Sequence, residues 1–223
     1  PPPEEGIAWR ADGTILTSPA ADDALQVWEI ASPNELAARA ILPLKPDAVQ
    51  RIAWWAEQGW LAVGLDDGRV AVWEIAAGAQ PSEVAVLDGH TKTVNGVDWS
   101  PVGSKLASAS ADGTVQIWQV ADGSFTRVAT LPQQDNRLSH VAWRADGRML
   151  AVASCYTENQ FHPDYCSWGD VKLWDVDRAE PIMIARRPGD RIKGSIASIA
   201  WRADGSMLAT VQQYGKVKLW QVT

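Results

Sequence analysis

The sequence predicts an all-β fold made of five copies of one small antiparallel sheet, and two observations carry this prediction. The chain contains 13 tryptophans in 223 residues, and ten of them recur at a regular spacing. Short apolar or alternating stretches separated by glycine-containing turns surround these tryptophans, and no helical period competes over any long window. Such self-similarity is typical of repeat proteins, in which each unit is one supersecondary element.

The recurring tryptophans form two series. The first series closes a short apolar stretch and consists of Trp9, Trp54, Trp99, Trp143 and Trp201. The second lies inside an alternating run and consists of Trp28, Trp73, Trp118, Trp174 and Trp220. The two tryptophans of a unit are 31 residues apart in the fourth unit and 19 apart in the others. We therefore expect an insertion of 12 residues in the fourth unit.

The third unit shows the strand pattern most clearly, with the stretches VNGVDWS, KLASAS, TVQIWQV and FTRVATL. Asp-Gly turns between such stretches supply both a positive φ and a side-chain acceptor for a tight reversal. A four-stranded sheet of this size must stack on copies of itself, and radial stacking gives a β-propeller. We expect a single domain or propeller segment, with units at approximately 6–42, 48–87, 90–131, 137–185 and 194–223, the last without a fourth strand.

Residues 89–119 resemble a WD40 repeat, whose pattern places a Gly-His pair before a Trp-Asp pair. The segment contains Gly89-His90, then WSPVG, LASASADG and IWQ. In that family a histidine, a hydroxyl residue, a turn aspartate and the strand tryptophan form a buried hydrogen-bonded chain. The resemblance places this structural tetrad at His90, Ser108, Asp112 and Trp118. It also implies a WD40-type β-propeller that closes with seven blades, so either further blades or a partner strand is expected at the open edge.

Composition and motifs exclude several classes of function. The net charge of -7 argues against nucleic acid, which is bound largely through Lys and Arg. No apolar run reaches the roughly 18 residues that span a bilayer. The chain contains no phosphate-binding glycine loop, nucleophile elbow, HExxH or CxxC motif. We expect no membrane partner, no cofactor, no metal and no enzyme activity, and the cell compartment stays open, with the cytoplasm favoured.

The insertion in the fourth unit, Cys155 to Gly169, differs from the rest of the chain. Its aromatic residues and histidine are Tyr156, Phe161, His162, Tyr165 and Trp168. Aromatic side chains are enriched at binding surfaces, whereas a self-packed loop would fold them onto the sheet. Two cysteines flank the loop, so a Cys155–Cys166 disulfide is one alternative. A zinc site from Cys155, His162, Asp164 and Cys166 is another, and the residues leave these alternatives open.

The insertion lies between the second and third strands of its unit, which places it on the same face as the connection to the fifth unit. That connection, ARRPGDRIKGS, contributes Arg186, Arg187 and Arg191. Aromatic and arginine side chains together are typical of interaction hot spots. We expect a non-catalytic scaffold or sensing module that binds a peptide or protein, preferably acidic, through this face. The alternative is a propeller that binds a small ligand or glycan with the aromatic loop.

Overall fold

The computed structural model describes residues 8–10, 12–19, 24–32, 35–44, 49–55, 57–76, 78–102, 104–131, 137–157, 166–178, 182–186, 192–212 and 215–222. Every regular element in these residues is a β-strand, which confirms the all-β prediction. The chain divides into two compact units, Pro1–Val97 and Asp98–Thr223. No helix in the described ranges has the length and apolar character needed to cross a bilayer.

The first unit contains two four-stranded antiparallel sheets in which the strands follow chain order. The first sheet consists of β1 (Ala8–Trp9), β2 (Ile15–Pro19), β3 (Leu25–Ser32) and β4 (Glu35–Leu42). The second consists of β5 (Val49–Trp55), β6 (Trp60–Leu65), β7 (Val70–Glu74) and β8 (Ser82–Leu87). Ile15 and Val27 of the first sheet pack with Leu61 and Val63 of the second in one buried cluster.

The third sheet consists of β9 (Val94–Trp99), which contains the boundary between the units, β10 (Lys105–Ser110), β11 (Val115–Ala121) and β12 (Ser124–Leu131). The fourth sheet consists of β13 (Arg137–Trp143), β14 (Met149–Tyr156), β15 (Trp168–Asp175) and β16 (Ile182–Arg186), with β17 (Ile192–Lys193) paired to β15. The fifth consists of β18 (Ile196–Trp201), β19 (Met207–Gln212) and β20 (Val217–Gln221). Within the described residues the fifth sheet therefore stops at its third strand, as the repeat pattern predicts.

Neighbouring sheets of the second unit bury their facing side chains against one another. Val115 and Ile117 of the third sheet pack with Trp143, Leu150 and Trp174 of the fourth. On its opposite face, the fourth sheet packs through residues of β14 and β15 against the fifth. Alternation along each strand therefore supplies two apolar faces, one for each neighbouring sheet.

The first tryptophan series joins neighbouring sheets through its indole N–H groups. Trp54 donates to the carbonyl of Ala8 at 3.3 Å, and Trp201 donates to that of Ala142 at 3.0 Å. Trp143 donates in the same way to the carbonyl of Asp98 at 3.1 Å. Each acceptor is the residue just before the first-series tryptophan of the preceding sheet. The indole therefore links innermost strands, a role that its sequence pattern did not reveal.

The WRADG turn recurs three times with the same hydrogen bonds. In the copy at residues 143–147, the Gly147 amide donates to the Arg144 carbonyl at 2.8 Å, with a Gly147 φ of 66°. Asp146 accepts the Arg148 amide at 3.0 Å and pairs with the Arg144 guanidinium. These interactions hold the pKa of Asp146 below its ordinary value, with the Arg144 hydrogen bond as the largest cause. The predicted structural role of the Asp-Gly turns is confirmed here.

Candidate functional site

The insertion extends from a hairpin in the fourth sheet that is longer than its counterpart in the third. β14 and β15 pair in unbroken register from Met149 opposite Asp175 to Tyr156 opposite Trp168. The Ser167 amide donates to the Tyr156 carbonyl at 2.9 Å, which continues the pairing one step into the insertion. The insertion therefore begins and ends in a regularly paired hairpin at one end of the sheet.

A disulfide between Cys155 and Cys166 closes the base of the insertion. The two Cα atoms are 5.4 Å apart, and the bridge spans 11 positions of the sequence. Cys166 is buried, whereas Cys155 is half-buried. Of the alternatives that the sequence left open, the structure supports the disulfide. Because both sulfurs are consumed by it, they are not free thiolates for the zinc hypothesis.

The connection to the fifth sheet returns to the same hairpin. Lys193 lies opposite Trp168, and Ile192 lies opposite Gly169. The Gly194 amide also donates to the Ser167 carbonyl at 3.0 Å. The end of the basic connection and the end of the insertion are therefore joined by strand pairing.

Gly169 allows this junction to be tight. A Cβ at this position would lie 2.7 Å from Cγ1 of Ile196 and 3.1 Å from the Gly194 carbonyl oxygen. Real side chains do not approach so closely, so a larger residue would push β17 and β18 away from β15. The glycine that ends the aromatic insertion is therefore required by packing at the point where the two loops meet.

Two of the predicted aromatic residues lie at this junction. Tyr156 ends β14 with 39% of its surface exposed, and Trp168 begins β15 in a half-buried position. Arg186 is the last residue of β16, in register with Lys172 of β15. The other predicted partner-binding residues lie outside the described residues: Phe161, His162, Tyr165, Arg187 and Arg191. Their placement at a partner site stays a prediction.

Strand register adds a cation that sequence reasoning missed. Arg137 begins β13, lies opposite Cys155 and is exposed. Lys193, opposite Trp168, is also exposed. We name Arg137, Tyr156, Trp168 and Lys193 the rim. Tyr156, Trp168 and Lys193 lie directly opposite one another and share one face of the sheet, whereas Arg137, opposite Cys155, lies on the other face at the same end.

One contact expected of the predicted tetrad is present in the second unit. Trp118 donates from its indole N–H to the Ser108 hydroxyl at 3.1 Å, and Ser108 is fully buried. Asp112 accepts the amide and hydroxyl of Thr114 at 2.8 and 2.7 Å, which anchors the turn between β10 and β11. His90 is buried in the first unit, whereas the other three residues belong to the second. The complete four-residue chain therefore stays a prediction.

The same indole bond recurs where a hydroxyl is available. Trp28 donates to Ser18 at 2.7 Å, and Trp220 donates to Thr210 at 3.1 Å. In the second sheet the register position of these hydroxyls is occupied by Val63, and in the fourth sheet by Val152. Among the described residues, the buried indole nitrogens of Trp73 and Trp174 accordingly have no hydrogen-bond partner. The residue at this register position therefore decides whether the indole N–H of the second-series tryptophan has a hydrogen-bond acceptor.

Carboxyl groups of the turns are held in the charged state. The pKa values of Asp12 and Asp146 lie below their ordinary value chiefly because of hydrogen bonds from Arg10 and Arg144. The Ser206 hydroxyl has the same effect on Asp204. A general acid at neutral pH needs a pKa that is raised toward 7. These aspartates are therefore suited to fixing turns and not to proton transfer.

Comparison with known families finds a repeat within the third unit. Residues 81–119 match the family model described as WD domain, G-beta repeat. Comparison with curated proteins gave no match. The matched residues include Gly89, His90 and Trp118, on which the sequence resemblance rests. This match covers one repeat, and the repeated four-stranded antiparallel sheets are consistent with blade units of the WD40 type.

Proposed function

We propose that this chain is a non-catalytic interaction module whose rim binds an acidic peptide or protein with apolar anchors. WD40 domains generally bind proteins or peptides and are generally not catalytic. The observation that supports the rim as the site is its register, in which Trp168 lies between Tyr156 and Lys193 on neighbouring strands. Aromatic and cationic groups of two separate loops thereby reach one surface.

The chemistry of the rim favours an anionic partner. Aromatic side chains contribute contact area at low entropic cost, and Arg137 offers a planar pair of donors to a carboxylate. Residues 1–170 carry 22 acidic and 11 basic residues, so an acidic partner is repelled by most of the chain. Residues 171–223 carry 9 basic and 5 acidic residues, and they include Lys193. The charge distribution therefore directs an acidic partner toward the fourth and fifth sheets.

The disulfide supports binding by fixing the loop before a partner arrives. A loop tied at its base has less conformational entropy to lose on binding, so more of the contact energy appears as affinity. Because Cys155 and Cys166 also hold the ends of β14 and β15 together, they keep Tyr156 and Trp168 in register. Phe161, His162 and Tyr165 of the insertion lie outside the described residues, so their contribution to the site is part of the proposal.

The proposal is tested by binding to a library of acidic peptides that contain aromatic or leucine anchors. We expect the double variant Arg137→Glu/Lys193→Glu to bind about tenfold more weakly or worse, as a loss of roughly 1–2 kcal/mol implies. Affinity of the wild-type chain should fall as salt is added, because exposed charges are screened. Arg127→Glu reverses the charge of another exposed residue, on β12, and as the control it should bind like wild type.

A second variant separates the loop from the charges. Replacing residues 156–167 by an Asp-Gly turn, with Cys155→Ser, should remove binding while circular dichroism shows the sheets intact. A folded loop variant that binds the peptides at full affinity, without salt dependence, would refute the rim. Binding to a glycan array that is lost in the loop variant but kept in the charge-reversal variant would support the ligand-binding alternative instead.

A further inference from the structure

The disulfide at the base of the insertion joins two cysteines in unlike surroundings. Cys155 is half-buried near the end of β14, whereas Cys166 is only 7% exposed. Arg137 lies directly opposite Cys155 on β13, and Gly169 lies opposite it on β15. Residues that lie directly opposite share one face of a sheet, with Cβ atoms about 4.5–5.5 Å apart. Cys155 therefore stands between an exposed arginine and a residue that has no side chain.

These surroundings are typical of a cysteine that takes part in thiol–disulfide exchange. A reductant attacks the more accessible sulfur, and a nearby cation stabilises the thiolate that is released there. Asp170, a carboxylate of the same hairpin, lies opposite Ser154 and so projects from the other face of the sheet. The register therefore places the positive charge of Arg137, and not the negative charge of Asp170, beside Cys155.

Ser167 connects the disulfide to both loops of the rim. It directly follows Cys166, and its amide donates to the Tyr156 carbonyl at 2.9 Å. Its own carbonyl accepts the Gly194 amide at 3.0 Å, one residue after Lys193. A single residue next to the bridge thus holds the end of β14 and the end of the basic connection. Loosening of Cys166 therefore loosens both contacts together.

Packing limits how far such loosening spreads. Gly169 lies so close to Ile196 that a Cβ would be 2.7 Å from its Cγ1. Beyond this point residues 149–154 of β14 are paired with β15 on one side, and their described side chains are buried. The rim is therefore the short end of a fixed sheet, and the disulfide is the covalent bond that closes it.

We propose that the Cys155–Cys166 pair is a redox site whose reduction by a dithiol opens the rim and weakens partner binding. The effect on binding rests on the proposed function, whereas the opening does not. A thiolate of the dithiol attacks the Cys155 sulfur, the S–S bond breaks, and Cys166 leaves with the electron pair and takes up a proton. The second thiol attacks the mixed disulfide and releases Cys155 as a thiolate beside Arg137, so the dithiol becomes a disulfide.

Reduction changes affinity because it restores freedom to the insertion. With the bridge broken, the loop regains conformational entropy that binding must remove, and Tyr156 and Trp168 are no longer held at a fixed separation. Lys193 is affected through the bond between Gly194 and Ser167. The reduced chain therefore keeps every aromatic and charged group of the rim but presents them in a less ordered arrangement.

Hydrogen exchange on the whole chain, before and after reduction with dithiothreitol, tests the opening. The amides of Ser167 and Gly194 should exchange at least tenfold faster in the reduced chain, whereas those of residues 150–153 should not change. The double variant Cys155→Ser/Cys166→Ser should show the reduced pattern in both buffers. Unchanged exchange at Ser167 and Gly194, in a chain whose two thiols have been counted by alkylation, overturns the proposal.

Graded mixtures of reduced and oxidised dithiothreitol test the role of Arg137. At about pH 8.5, where a free thiol is partly ionised, Arg137→Gln should make the disulfide about threefold harder to reduce, because the thiolate loses its neighbouring cation. Arg127→Gln removes another exposed arginine, on β12, and as the control it should leave the equilibrium unchanged. Equal equilibrium constants for Arg137→Gln and wild type would contradict the thiolate beside Arg137.

Binding measurements separate the redox site from the proposed function. Oxidised wild type should bind the acidic peptides about tenfold more tightly than reduced wild type, and Cys155→Ser/Cys166→Ser should bind them weakly in both buffers. Equal affinity of the oxidised and reduced chains overturns the control of binding and leaves the rim as the site. If no peptide binds the oxidised chain, the proposed function fails, while faster exchange at Ser167 and Gly194 on reduction still supports the redox site.

Discussion

In each sheet, one side chain decides whether the indole N–H of the second-series tryptophan has a hydrogen-bond acceptor. Ser18, Ser108 and Thr210 accept the indole N–H of the second-series tryptophan in their own sheets. Val63 and Val152 occupy the same register position in the second and fourth sheets and offer no acceptor. A buried donor without a partner retains its desolvation cost, which is about 1–3 kcal/mol. The second and fourth sheets therefore each lack one stabilising interaction that the others have.

We expect Val63→Thr to raise the free energy of unfolding by about 1 kcal/mol, because the hydroxyl gains the Trp73 indole as a donor. Threonine is nearly isosteric with valine, and Thr210 already makes this bond at 3.1 Å. Urea titration measures the change through the midpoint at constant slope.

The control for this substitution lies one strand away. Val72 is also fully buried, and it lies on β7 one residue before Trp73. Val72→Thr should therefore bury a hydroxyl without gaining the indole as donor, and it should lower stability by about 1–3 kcal/mol. Equal destabilisation by both substitutions would contradict the assigned bond.

At the scale of single elements, the fifth sheet differs from the third mainly in what lies beside it. β11 has β10 on one side and β12 on the other, whereas β20 pairs only with β19 in the described residues. The apolar side chains of β20 are exposed where those of β11 are buried. Local opening is easiest where pairing and burial are missing. The last strand should accordingly be the first regular element to open.

Hydrogen exchange should show this difference directly. At a concentration at which sedimentation shows a monomer, amides of residues 216–222 should exchange at least tenfold faster than those of residues 114–120. Each strand serves as the other's reference because both occupy the third position of their sheets. Equal protection in the two segments of a proven monomer would contradict the prediction.

The elements also show what could be predicted from the sequence. Strand type, sheet number and the position of the insertion follow from tryptophan spacing and Asp-Gly turns, because both are local signals. The approach of Arg137 to Cys155 depends on the register between β13 and β14, which the residue pattern does not specify. The acceptors Ala8 and Ala142 are backbone carbonyls, which carry no residue signature. Pairing register and backbone acceptors therefore had to come from the structure.

At the scale of the whole chain, acidic and basic residues are unevenly distributed along the sequence. Residues 1–97 contain 14 acidic and 6 basic residues, whereas residues 98–223 contain 13 acidic and 14 basic residues. The rim lies in the second of these segments. An acidic partner therefore meets its lowest electrostatic cost on the same unit that carries the aromatic side chains of the insertion.

The single domain that the continuous tryptophan register predicts can be tested by unfolding. The boundary between the two compact units falls inside β9, a strand of six residues, so that residues 94–97 belong to one unit and residues 98–99 to the other. Asp98, on the second side of this boundary, accepts the Trp143 amide at 2.7 Å through its carboxylate and the Trp143 indole at 3.1 Å through its carbonyl. Loss of the first unit would therefore fray a strand end that holds the fourth sheet.

We expect one cooperative transition in urea, with tryptophan fluorescence, far-UV circular dichroism and pulse proteolysis giving the same midpoint. The slope should be about 3 kcal/mol/M, near the upper end for small proteins, because the slope grows with the surface exposed when the whole chain unfolds. Asp98→Ala should lower the midpoint for all three probes together, since it removes a bond beside the boundary. Two transitions, with about half that slope each and a protected fragment covering residues 98–223 after the first, would show that the units unfold independently.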